Sequence, residues 1–244
     1  MSYRIFLAGA SGAIGRRLVP LLREAGHHVS GTTRVEARAA TLRTLGVEPV
    51  IVDVFDRDAL LRAVGKARPD IVIHQLTDLP PALDPVLMAA AIRRNARIRD
   101  EGTRNLVDAA IAAGATRMIA QSIAWMYAPG PQPHGENDPL DTKADGARGI
   151  SLAGVVALEK RVLQSPPLEG IVLRYGQIHG PGTGSDVPRP IAPLHVDAAA
   201  FAALLAIEHG APGIYNIAEP NDLIATDKAR AQLGWDAGFR LPAA

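Results

Sequence analysis

The 244-residue chain contains no cysteine. That excludes a disulfide framework, a thiolate nucleophile and a cysteine-ligated metal. Aromatic residues make up only 4% of it, too few for a platform on which nucleic-acid bases stack. Neither sign of charge is in excess: 26 Lys and Arg face 25 Asp and Glu, whereas a nucleic-acid binder needs a basic face. Lysine is scarce at four residues, a bias that reads as base composition rather than function. No apolar run reaches the roughly 18 residues of a membrane span. The first residues, with Arg4 ahead of an apolar stretch, look superficially like a secretion signal. The stretch breaks at Gly9-Ala10-Ser11-Gly12, as a strand entering a tight turn does. These absences place the chain in the cytoplasm, with neither nucleic acid nor membrane as partner.

What is present is the material of a large core. Hydrophobic residues are 48% of the chain, which rules out disorder. A chain this long buries about 70% of its unfolded surface without staples. Short apolar runs read as strands over 3–8, 28–33, 49–52, 71–74, 116–120 and 170–174. Segments with helical spacing separate them, at 13–25, 35–45, 56–65, 84–113 and 151–163. Gly26, Gly46 and Gly114 close three of the helices, Asp56 starts another, and Pro20 lies inside the first. Strands alternating with helices predict right-handed crossovers and a doubly wound parallel sheet of Rossmann type. The reading divides the chain into a dinucleotide-binding domain over 1–175 and a small substrate subdomain over 176–244, interleaved with the last sheet elements. Two Pro- and Gly-rich stretches, 128–149 and 176–194, interrupt the alternation. Each follows a strand at its carboxyl end, the edge where open parallel sheets bind ligands.

The first strand leads into Gly9-Ala10-Ser11-Gly12-Ala13-Ile14-Gly15, a Gly-x-x-Gly-x-x-Gly loop opening a helix. One glycine permits the turn, one admits a pyrophosphate to the backbone, and one lets helix and strand pack closely. The helix N-terminus offers N–H groups and a positive dipole end. Gly9, Ser11, Gly12, Ala13, Ile14 and Gly15 are therefore expected to hold a dinucleotide. The end of the second strand reads Ser30-Gly31-Thr32-Thr33-Arg34, without the carboxylate that binds the ribose of NAD. Arg34 instead suits a 2′-phosphate, so NADP is expected ahead of NAD. Asp53, with Val54 beside it, is placed for the adenine amino group, or else to cap the following helix. Gln75, Leu76 and Thr77 end the fourth strand, where the middle of the dinucleotide would pass. The seven histidines lack metal-ligand spacing, and no metal is expected. There is no Gly-x-Ser-x-Gly elbow and no P-loop.

In this order the motifs resemble the extended short-chain dehydrogenase/reductase superfamily, in its epimerase/dehydratase branch. The resemblance continues through Gly102-Thr103-Arg104-Asn105-Leu106, Leu173-Arg174 with Gly180-Pro181-Gly182, His195-Val196-Asp197, Tyr215-Asn216 and Leu233-Gly234-Trp235. It implies an NAD(P)-dependent activity on a small molecule and a homodimer formed through the long helix over 84–113. On that helix Arg93, Arg94, Arg97 and Arg99 read as a solvated face. The superfamily's Tyr-x-x-x-Lys acid–base pair is missing: Ser151 and Val155 stand at those positions when the segment is aligned on Glu159. Ser122 and Tyr127 remain as catalytic candidates, to orient a carbonyl and to donate a proton. His195 is expected to support its loop. The reading that follows is an NADPH-dependent oxidoreductase acting on a small carbonyl or alcohol with a non-standard proton donor. A non-catalytic dinucleotide sensor or scaffold stays open, as does an epimerase, isomerase or lyase acting on a natural-product or sugar intermediate.

Overall fold

The Ile-Phe-Leu-Ala run of strand β1 (Arg4–Ala8) is buried on both faces, as a central strand of a parallel sheet must be. The computed structural model describes residues 1–80 and 83–242. Around β1 the chain lays down β2 (His28–Thr33), β3 (Glu48–Ile51), β4 (Ile71–His74), β5 (Arg117–Ile123) and β6 (Glu169–Tyr175). Two short strands follow, β7 (Gln177–His179) and β8 (Pro193–His195), and then β9 (Gly213–Ile217). Seven of these form one parallel sheet in the order β3-β2-β1-β4-β5-β6-β9. The strand order reverses between β1 and β4, the point at whose carboxyl edge open α/β sheets bind ligands.

Helices cover both faces. Helices α1 (Ala13–Glu24), α2 (Glu36–Thr44) and α7 (Val196–Leu205) lie on one side, where Ile5, Leu7, Ile73, Ile119 and Leu173 meet Leu18, Leu22, Leu42 and the alanines of α7. Helices α3 (Arg57–Ala67), α5 (Thr103–Ala112) and α6 (Gly146–Leu163) cover the other, over Phe6, Val72, Met118 and Val172. Asp56 caps α3 by accepting from the Ala59 N–H. Pro20 is accommodated within α1. Among the described residues no helix is long and apolar enough to cross a membrane.

Three elements depart from the sequence reading. The expected single helix over 84–113 is two, α4 (Pro85–Arg97) and α5, joined by a π-turn at Ile98–Gly102. A Cβ on Gly102 would lie 3.2 Å from Val54, so the chain passes close to the β3 loop there. Helix α6 begins five residues early, at Gly146. Its glycines argue against helix locally, but Gly154 lets α6 meet Ala96 of α4 at a distance a side chain would not allow. Strand β5 runs on to Ile123, because it pairs with β6 as far as Tyr175. In the 176–244 segment, β7 and β8 form a separate ribbon, α7 packs on α1, β9 extends the main sheet, and α8 (Asp227–Leu233) follows.

Candidate functional site

The three glycines of the first loop answer to different constraints. Gly9 has φ +94°, and a Cβ there would sit 2.7 Å from the Gln75 carbonyl oxygen. A Cβ on Gly15 would collide with the Gly9 carbonyl. The packing of the chain itself therefore requires both. Gly12 is different. Its φ is −77°, it is exposed, and a Cβ would touch only the Gly9 oxygen at 3.3 Å. The backbone angle there suits any residue, and a Cβ would crowd a single atom, so the fold constrains Gly12 far less than Gly9 or Gly15. Gly12 also starts α1, which has no side-chain cap and no acidic residue in its first turn. Its free N–H groups and positive dipole end face outward. The loop is held in place by the Gly9 N–H donating to Thr32 Oγ1 at 3.0 Å. Gly31 helps in a way the sequence did not reveal: a Cβ there would lie 2.7 Å from that of Ala10.

The remaining cofactor candidates gather along the same edge. Arg34 is exposed at the end of β2, with Asp78 at 3.7 Å, and Asp78 is also held by Arg94 at 3.0 Å. Asp53 is exposed and accepts the Phe55 N–H at 3.0 Å. Asp56, not Asp53, caps α3. Val54 is buried, and its carbonyl accepts from Asn105 at 2.9 Å. Gln75 continues the β1–β4 pairing through its N–H to the Ala8 carbonyl, and its buried Oε1 has no partner among the described residues. The Leu76 N–H donates to His74 Nδ1 at 3.2 Å, and Thr77 follows it in the loop. Ser11, Ala13 and Ile14 complete the turn into α1. An uncapped helix N-terminus, an exposed unexplained glycine and an orphaned amide oxygen suit a dinucleotide.

The catalytic candidates lie in a second cluster, built by strand register. Ser122 of β5 pairs with Arg174 of β6, and Arg174 with Asn216 of β9. Ser122 is wholly buried and donates to Glu159 Oε1 at 2.7 Å. Glu159 takes two hydrogen bonds from the Arg174 guanidinium, at 2.9 and 2.7 Å. Tyr127 donates to Asn216 Oδ1 at 2.7 Å and accepts from Arg174 Nη1 at 2.8 Å, while its ring stacks on His134. Burial raises the phenol pKa even though Arg174 pulls the other way. Burial also opposes the charge on Arg174, but Glu159 outweighs it and holds the guanidinium above its ordinary value. The hydroxyls of Ser122 and Tyr127 are thus both committed to one buried ion-pair network. Val155, at the position expected for lysine, is buried among Ile123, Met126 and Leu152. His195 caps α7 by accepting the Asp197 N–H at 3.2 Å, and Asp197 pairs with Arg17 of α1. His179 Nε2 lies 3.0 Å from Glu219.

Sheet order, its reversal between β1 and β4, and the glycine turn at that edge together define a dinucleotide-binding Rossmann protein. Residues 9–158 match the NAD(P)H-binding family. The chain belongs to that family, on the short-chain dehydrogenase/reductase fold. It is 40% identical over 236 residues to a Streptomyces protein named 3-diazoavenalumate denitrifying reductase, covering 88% of this chain and 76% of the relative. It is 27% identical over 190 residues to a dTDP-4-dehydrorhamnose reductase of Streptomyces griseus, covering 77% and 54%. Among solved structures, UDP-glucose 4-epimerase of Thermotoga maritima superposes with TM-score 0.78 at 17% identity, over 98% of this chain and 94% of that one. The Thermus thermophilus UDP-glucose 4-epimerase complex with NAD gives 0.72 at 20% identity, over 99% and 95%.

Proposed function

We propose that the protein is an NADPH-dependent reductase that places hydride on a small, electron-poor organic acid. The observation that carries this reading is the exposed Gly12 at the uncapped start of α1. A pyrophosphate approaching the backbone accounts for a glycine on which the fold places only one close contact. Gly9, Ser11, Gly12, Ala13, Ile14 and Gly15 would hold the diphosphate, Asp53 and Val54 the adenine, and Gln75, Leu76 and Thr77 the sugar beyond it. Arg34, with no carboxylate beside it in β2, favours a 2′-phosphate over a free ribose hydroxyl. Bound NADPH supplies the hydride, and the protein supplies position.

The acceptor class follows from the second cluster. Reducing a ketone requires a proton on its oxygen, which the Tyr-x-x-x-Lys pair normally delivers. This chain lacks the pair, and the hydroxyls of Ser122 and Tyr127 are tied into the Glu159–Arg174 network. An arenediazonium carbon needs no such proton. It takes up hydride to form C–H while the C–N bonding pair leaves with N2. The Streptomyces relative is named for a diazo compound that is also a carboxylate. In this reading Ser122 and Tyr127 position the edge of β5, β6 and β9.

The test is cofactor consumption with an acceptor panel: an arenediazonium hydroxycinnamate, an aryl ketone and an aldehyde, each with NADPH, NADH or 4-deuterated NADPH. The reading expects N2 release and deuterium in the arene, with NADPH preferred at least tenfold and the preference lost in Arg34→Ala. Ketone reduction abolished by Tyr127→Phe would restore a carbonyl substrate with Tyr127 as acid. Product formed without net cofactor change would point to epimerisation, and binding without turnover to a sensor.

A further inference from the structure

The sequence groups Arg99 with the solvated arginines of its helix. The structure separates it from them. Arg93, Arg94 and Arg97 are exposed, while Arg99 is half-buried within the π-turn. π-turns inside helices are frequent at functional sites.

The neighbours one turn either side show where Arg99 faces. Asn95 binds the loop after β4, accepting the Asp78 N–H at 3.0 Å and donating to the Asp78 carbonyl at 3.1 Å. Thr103 Oγ1 lies 3.1 Å from His74 Nε2, at the carboxyl end of β4. Both residues are buried. Arg99 stands between them, close enough for its charge to act on His74. Asn95 and Thr103 have partners on β4 and its loop, and Arg99 has none. Among the described residues it makes no hydrogen bond and no ion pair. His74 is no counter-ion, because burial, and then the charge of Arg99, lower its pKa to about 3 and leave it neutral. Burial alone lowers Arg99 to about 10, so it remains a cation at neutral pH.

A half-buried guanidinium that bonds to nothing among the described residues keeps its donors open to a ligand. The cofactor diphosphate is not that ligand. Its cradle belongs to α1, which covers the opposite face of the sheet from α5 and α6. Arg99 lies near His74, the last residue of β4, and β4 stands between β1 and β5 in the sheet; that carboxyl edge is where open parallel sheets bind ligands.

We propose that Arg99 is the anchor for a carboxylate of the substrate, so that the enzyme acts on organic acids and discriminates against their esters. The guanidinium would take the carboxylate as a two-pronged donor. This rests on the reductase reading above and adds the charge of its substrate.

The test titrates NADPH-loaded protein with 4-hydroxycinnamate and with its methyl ester, followed by quenching of cofactor fluorescence. The acid should bind the native protein at least tenfold more tightly than the ester. Arg99→Gln should remove that ratio and leave both the ester and NADPH within twofold of native, and Arg99→Lys should keep part of the preference. A structural arginine would lower the melting temperature when replaced. Here Arg99→Gln should melt no lower than the native protein. An acid-to-ester ratio that survives in Arg99→Gln overturns the proposal, as does a native protein that does not prefer the acid. Loss of NADPH affinity in Arg99→Gln would assign the cation to a cofactor phosphate and overturn it too. If native protein binds no NADPH, the reductase reading fails instead. The acid and ester are then compared by calorimetry on the protein alone, which still decides the role of Arg99.

Discussion

Two polar clusters occupy the carboxyl edge of one sheet and follow opposite rules. In the Glu159 network over β5, β6 and β9 the groups satisfy one another: Ser122 to Glu159, Glu159 to Arg174, Arg174 to Tyr127, Tyr127 to Asn216, although Gln121 Oε1 on the same β5 strand is buried without a partner among the described residues. Over β1, β2 and β4 they do not. Among the described residues the start of α1 has no side-chain cap, Gln75 Oε1 has no partner, and Arg99 has no anion. A polar group whose partner lies in the chain holds the fold. One without a partner keeps its bonding capacity for a ligand. Arg34 falls between the two, since Asp78 at 3.7 Å is a loose, exposed partner that the proposed 2′-phosphate would replace.

The comparison is broken most forcefully at Glu159. Glu159→Ala should cost about 3–5 kcal/mol, because it strands a buried Arg174 without its counter-charge. Urea midpoints measure this, and a loss below about 1 kcal/mol would mean that the network does not hold the edge. Next comes acid. His74 is neutral when folded, with a pKa near 3, and titrates near its ordinary value when unfolded. The unfolded chain therefore binds the extra proton as pH falls. The contribution is fully present above about pH 6.5 and is lost at roughly 1.4 kcal/mol per pH unit on the way down to about 3. His74→Asn should flatten that part of the stability profile; an unchanged slope would count against it. A smaller effect is expected of Tyr127→Phe, which leaves Asn216 and Arg174 each short of a partner and should cost about 1–3 kcal/mol. If its thermal unfolding matches native, the phenol bonds are dispensable.

Much of the fold was legible because its signals are local. Alternating apolar runs and helical spacings gave the strands, and Gly9, Gly12 and Gly15 gave the turn. The paired cluster was not legible, because register creates it. Ser122, Arg174 and Asn216 are 94 residues apart end to end and meet only when β5, β6 and β9 align. Glu159 and Arg174 were both visible in the sequence, but not as a pair. Arg99 was misread because regular 3.6-residue periodicity leaves out the π-turn that rotates it inward.

The division between the clusters is tested most directly at Gly12, where an added Cβ would crowd one protein atom, the Gly9 carbonyl oxygen at 3.3 Å. NADPH binding and thermal melting would be measured together on native protein and Gly12→Val. The account predicts that binding weakens at least tenfold, about 1.4 kcal/mol, while the melting temperature stays within a few degrees. Unchanged NADPH affinity in Gly12→Val, or native protein that binds neither NADPH nor NADH, would contradict it.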